Sequence, residues 1–314
     1  MMRHKFKNIV NYLCTILSFL IWPCLLWAEQ VTQNDCRSLE PSTQQSEESL
    51  KYADALLWKI SKDGYEPSYI FGTIHVSDSR IADLPELVSS KLNASDVFVM
   101  EALPEPEEAL KLSQMMFFDD GRTLKDFIDD KLFDRTAEIL SAYQLPPESV
   151  TFMQPWAAFL VMNYPAEQGM PLDLQLLNTA EQNGAKVQGL ESLSEQGDVF
   201  SSMDIQTQIQ FLLDTVCNYE TISKDFEKMK SFYLARDLQG LFDYSNQYSF
   251  SDEQIYKDFI RKLLTDRNHI MVDRMQSVLE AGNAFIAIGA MHLPGHEGVL
   301  ALLGRKGYRI TSIY

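Results

Sequence analysis

The chain has 314 residues, 46% of them hydrophobic, and a formal net charge of -17 at pH 7. That size and apolar content suit one large α/β domain or two small ones, and they exclude disorder beyond the N-terminal segment. The acidic balance repels nucleic-acid backbones and anionic lipid heads, which excludes nucleic acid as a main partner.

Residues 1–28 read as a signal peptide. Arg3, Lys5 and Lys7 give a basic start, an apolar run extends from Ile9 to Trp27, and Ala28 is the expected cleavage residue. The expected location is therefore periplasmic or secreted. The apolar run also approaches spanning length, so an uncleaved anchor is the competing reading, and only then is the membrane a partner. Residues 29–50 are polar and read as a flexible lead-in. Once the leader is gone, Cys36 and Cys217 remain. In an oxidising compartment they could pair, or one could be free and the other buried.

The folded domain is expected over 51–314. Ala55–Ile60 and Tyr69–His75 read as strands joined by the turn Ser61-Lys62-Asp63-Gly64, a hairpin signal. Leu84–Leu92 has helical spacing. Asp96–Glu101 is a third apolar strand. The region from about 107 to 264 is mainly helical, broken by prolines, with a short strand at Lys186–Glu191. It is expected as an insertion or cap. Arg267–Ala281 reads as a helix, Ala284–Gly289 as a buried strand, Val299–Arg305 as a helix and Tyr308–Tyr314 as a last strand. Strands alternating with helices at both ends predict an α/β fold with a mixed central sheet and flanking helices.

Three of these strands and the run Phe285–His292 end on a residue able to bind metal or move protons: His75, Glu101, Glu191 and His292. Ligands bind outside the carboxyl ends of strands in open α/β sheets, so these side chains are expected at one mouth of the sheet. Two imidazoles and two carboxylates suit zinc, manganese, iron or cobalt. Gly72 and Gly289 lie three residues before the histidines, where a missing side chain lets the strand bend or another backbone or a substrate approach. One Gly-x-x-His is a weak signal; two, each closing an apolar strand, are more specific. Arg267 and Asn268 open a helix, and the guanidinium could hold a substrate carboxylate or an oxyanion, or form a surface salt bridge. His269 reads as surface or core, and His296 as a solvated loop residue. The chain has no Gly-x-Ser-x-Gly elbow, P-loop, dinucleotide fingerprint or His-Glu-x-x-His helix.

From about Leu56 onward the sequence resembles the TraB/GumN family, which includes the Tiki proteases. The resemblance rests on LLWKI near Leu56, FGTIHV around His75, VFVMEA around Glu101, GLESLSEQ around Glu191, DRNHIMVDRM from Asp266, and IGAMHLPGHEGVLALLGRKGYRI. It implies a fold related to ChaN-like and erythromycin esterase-like proteins. It also implies metal-dependent peptidase activity with manganese or cobalt, zinc being an alternative.

Together these readings predict an exported metal-dependent hydrolase acting on a peptide or protein. His75, Glu101 and His292 are expected as metal ligands, Glu191 as fourth ligand or general base, and Arg267 as the group that steadies the oxyanion or substrate. The reading from another class is a non-catalytic binding module for a peptide, haem or a protein partner, with small-ester hydrolysis as a third. Oligomeric state is not legible.

Overall fold

A computed structural model describes residues 31–32, 35–36, 49–166, 169–246 and 253–314. The expected signal peptide, its cleavage residue Ala28 and most of the lead-in lie outside these residues. Among the described residues, no helix is long and apolar enough to cross a membrane.

Six strands form one mixed sheet: β1 (Leu57–Ser61), β2 (Ser68–Thr73), β3 (Val97–Ala102), β4 (Lys186–Glu191), β5 (Ala284–Gly289) and β6 (Arg309–Ser312). Their order is β4-β3-β5-β2-β1-β6. β1 and β2 make the expected antiparallel hairpin, with Gly64 at a φ of +90° in its turn, a conformation glycine adopts without strain. β6 pairs antiparallel with β1, while β2, β5, β3 and β4 run parallel. The mixed α/β expectation is met.

β5 explains why the parallel set is so apolar. Ala284 to Ile288 are all buried, because β5 lies between β2 and β3 with both of its faces covered. Phe98 and Phe285 have no exposed surface, and burying each contributes roughly 1.5–3 kcal/mol. Because four neighbouring strands run the same way, Thr73, Ala102, Glu191 and Gly289 all finish on one edge of the sheet.

The helical middle belongs to two cores. Leu124 to Met162 and Phe200 to Val216 contribute a second cluster, around Trp156, Phe159, Phe211 and Leu212. Tyr233, Leu238 and Leu241 instead join the core of the sheet. From 205 onward the helical middle consists of Ile205–Cys217, Tyr219–Ala235, Leu238–Ser245 and Glu253–Ile260, followed by a π turn, Arg261–Asp266. Arg236 takes a left-handed φ of +60° and ends the second of these helices, after which Asp237 caps the third. The helix expected over Arg267–Ala281 is two helices, Arg267–Arg274 and Gln276–Ala281. Cys36 and Cys217 form a disulfide, and Val31 bridges to Ile128, so these parts of the lead-in are fastened to the second core.

Candidate functional site

β2 ends at Thr73, so His75 lies on the loop just beyond it, and His292 ends a short 3₁₀ turn, Ala290–His292, that follows β5. The two glycines have separate tasks there. A Cβ on Gly72 would stand 2.8 Å from Leu293 Cδ1 and 3.1 Å from Ala290 Cα, so its absence lets the turn bearing His292 pack onto β2. A Cβ on Gly289 would stand 3.0 Å from Glu101 Oε1, 3.4 Å from His292 Cδ2 and 4.0 Å from His75 Nε2. Both imidazoles and the Glu101 carboxylate therefore border the same small space.

Each imidazole is held from behind by its Nδ1. His75 Nδ1 is 2.8 Å from Asp173 Oδ2, and the other oxygen of Asp173 accepts the Thr73 hydroxyl at 2.5 Å. His292 Nδ1 is 2.6 Å from Asn268 Oδ1. Asn268 Nδ2 donates to the Glu297 carbonyl at 2.8 Å, so the amide oxygen is the atom that faces His292. Nδ1 of His292 then carries the proton, and its Nε2, 3.7 Å from Glu101 Oε1, presents a lone pair.

Glu101 and Glu191 meet across Arg267. Glu101 Oε1 accepts the Gly289 N–H at 2.6 Å, and Oε2 accepts Arg267 Nη2 at 2.6 Å and Gln196 Nε2 at 3.1 Å. Both oxygens of Glu191 accept Arg267 Nε, each at 3.1 Å, and Oε2 also accepts Nη2 at 2.7 Å. Arg267 Nη1 donates to the Leu263 carbonyl. Glu191 and Arg267, expected to act on the substrate, thus face each other. The π turn directly before Arg267 is an irregularity frequent at functional sites.

Charge follows from this packing. Burial drives His292 down to about 4, only partly opposed by the charge of Glu101, so it is neutral at pH 7. Burial raises Glu101, but His292, Arg267 and His75 outweigh it and hold the carboxyl at about 2. Since His292 is neutral at pH 7, Arg267 is the permanent cation that keeps Glu101 ionised there. The His75 side chain is 44% exposed, but its exposed face opens into a crowded cleft. Burial lowers its pKa, while the Asp173 hydrogen bond and nearby carboxylates overcome this and raise it to about 9.

Among the described residues, no group of three or more His, Cys, Asp or Glu side chains meets the geometry of a metal-binding cluster. The expected set of His75, Glu101 and His292 is brought together but not closed around one point. The physical reason is that Arg267 and Gln196 draw Glu101 Oε2 away from the imidazoles.

Asp173 carries no signal in the sequence, and Gln196 enters only as the last residue of the GLESLSEQ motif, with no role assigned to it. Asp173 sits in the first turn of the helix Leu172–Gln182, where an acidic residue reads as favourable to the helix dipole. Gln196 lies on the helix Leu193–Ser201, which the capping box of Ser192 and Glu195 starts immediately after β4. His269 pairs with Glu297 on the surface, one of the two positions expected for it.

Residues 56–312 match the sequence model of the TraB/PrgY/gumN family. The chain belongs to that family. Similar members of known name include metalloprotease TIKI1 of Danio rerio, 25% identical over 340 residues and covering 91% of this chain and 68% of that protein. Metalloprotease TIKI1 of Homo sapiens is 26% identical over 314 residues, covering 82% of this chain and 61% of its own length. The uncharacterized protein YbaP of Escherichia coli (strain K12) is 22% identical over 250 residues, covering 78% of this chain and 90% of its own. The chain spans about two thirds of the length of the TIKI relatives. No solved structure gives a significant match, so kinship with ChaN-like and erythromycin esterase-like folds stays an implication of the sequence resemblance. In this TraB/PrgY/gumN chain, the resemblance motifs around His75, Glu101, Glu191, Arg267 and His292 come to one edge of the sheet.

Proposed function

We propose that this chain is an exported metal-dependent peptidase, with a divalent ion held by His75, Glu101 and His292. The observation that carries the reading is the opposed pair of imidazoles. Each is backed at Nδ1 by a carboxylate or amide, and the Nε2 of each borders the same small space as the ionised Glu101. Metal-binding histidines are typically supported in this way. The donor set of two nitrogens and one carboxylate suits manganese, cobalt or zinc. Binding an ion requires His75 to give up its proton and Glu101 to shift slightly toward the imidazoles. The names of the TIKI relatives support peptidase chemistry.

When bound, such an ion supplies Lewis-acid activation of a water and of a carbonyl. The protein's own groups do the rest. Asp173, itself fixed by Thr73, orients His75, and Asn268 orients His292. Arg267 keeps Glu101 ionised, and Glu191 holds Arg267 in place. Of the two acids, Glu101 has an oxygen facing the imidazoles, so Glu101 rather than Glu191 would join them in holding the ion, while Glu191 is engaged by Arg267. The Cys36–Cys217 disulfide supports residence in an oxidising compartment, in keeping with the leader sequence.

The test is metal analysis of the purified protein together with cleavage of a peptide mixture in the presence of manganese, cobalt or zinc. Cleavage should disappear on chelation and in His75→Ala and His292→Ala. Cleavage that survives both chelation and His75→Ala overturns the proposal.

A further inference from the structure

We infer that the cleft beside His75 and His292 selects peptides by a large apolar side chain, an inference that rests on the peptidase reading and names its substrate class. The cleft holds about 630 Å³. That is within the roughly 300–1,000 Å³ of ordinary ligand pockets. One wall is the edge of the sheet with the candidate residues. Helices outside the sheet add an apolar wall to the lining, with Phe226, Met229, Leu241, Tyr256, Leu263 and Leu264. All but Leu241 are only partly buried, so they keep surface turned to the cleft instead of packing wholly into a core.

Among the described residues, the acidic and basic side chains lining the cleft are His75, Glu101, Asp173, Arg267 and the neutral His292. Every one of them is engaged by another part of the site: His75 with Asp173, Arg267 with Glu101 and Glu191, and His292 with Asn268. Among the described residues, no lining charge lies away from this cluster to pair with a charged substrate side chain. A charge pressed against the apolar wall would be desolvated without compensation, whereas an apolar side chain would gain contact and lose water.

The wall is also fixed in place. Tyr233, on the helix that carries Phe226 and Met229, donates its hydroxyl to the Gly72 carbonyl at 2.8 Å. On the same helix, buried Lys230 meets Asp78 at 3.3 Å, just past β2. A wall held to the strand that leads to His75 is preorganised, and a preorganised apolar pocket discriminates by size and polarity rather than adapting.

The experiment measures binding, so it does not depend on catalysis. Fluorescein-labelled octapeptides that differ only in two central residues (Leu-Leu, Phe-Phe, Asp-Asp or Lys-Lys) are titrated with the metal-free full chain by fluorescence anisotropy. The Leu and Phe peptides should bind at least about tenfold more tightly than the charged ones. Met229→Glu should weaken the Leu peptide by a similar factor. Tyr256→Ser is the second variant if Met229→Glu loses its thermal transition. Equal affinities for the four peptides overturn the inference, as does an apolar preference unchanged in a folded variant. Dodecanoate that binds as tightly as the Leu peptide, and displaces it, assigns the cleft to acyl chains and also overturns it. A clear apolar preference without cleavage in any metal supports the inference and counts against the peptidase reading alone.

Discussion

The Oδ1 atom of Asn268 lies 2.6 Å from Nδ1 of His292, and the other end of the same amide is tied to the Glu297 carbonyl. One side chain thereby decides which imidazole nitrogen carries the proton and leaves the other facing Glu101. Asn268→Leu removes the acceptor and strands a buried N–H, which costs about 1–3 kcal/mol. It should also weaken manganese or cobalt binding roughly 10- to 100-fold, the usual effect of losing such a support. Urea denaturation of the metal-free protein and calorimetric metal titration check the two effects separately.

Gly289 has no room for a side chain where Glu101 and His292 approach it. In Gly289→Ala the new methyl would stand 3.0 Å from Glu101 Oε1, so the carboxylate must shift or the strand must move. Gly72→Ala instead presses on Ala290 and Leu293 in the core, with an overpacking cost of about 1–3 kcal/mol. The expected contrast is loss of metal binding with modest change in melting temperature for Gly289→Ala. Gly72→Ala should show a clear fall in melting temperature.

Arg267 lies between two buried carboxylates. Replacing it by Met leaves Glu101 and Glu191 without their cation, and breaking a buried pair in this way costs about 3–5 kcal/mol. The loss should be smaller in Arg267→Met combined with Glu191→Gln, because one uncompensated charge is then gone. Denaturant midpoints of the single and double variants measure the coupling.

The helix after β4 gives a pH signature. Glu195 is held down to about 2, chiefly by its hydrogen bond to Arg274 and also by the Ser192 N–H. Its folded pKa lies below the ordinary value of 4.5, so its contribution is complete above about 4.5 and fades as the pH falls toward 2. The pair is nearly half exposed, and solvent screening limits its worth to about 1 kcal/mol or less. Glu195→Gln should therefore be slightly less stable than the native chain at pH 7, with the difference shrinking in acid. Thermal melts across that range record it.

The Cys36–Cys217 bond closes a sequence separation of 181 residues. Replacing both cysteines by serine should cost about 2–5 kcal/mol, because the unfolded chain regains its freedom. Reductant should shift the melting temperature of the native protein and leave the double variant unmoved.

The sequence by itself determined the strands and their chemical endings. An apolar run such as FIAIG must be buried on both faces, and a histidine or glutamate at its end must lie at the rim, so His75, Glu101, Glu191 and His292 could be read as one edge. Pairing partners among distant residues carry no local pattern, which is why neither Asp173 nor Gln196 stands out in the sequence as part of the site. The same limit hid the capture of Arg267 by Glu191 and the split of the helical middle between two cores. Those were decided by tertiary structure alone. Hydrogen bonds and desolvation depend on what stands a few ångströms away in space, and the parallel register of β2, β5, β3 and β4 is what brings those groups within reach.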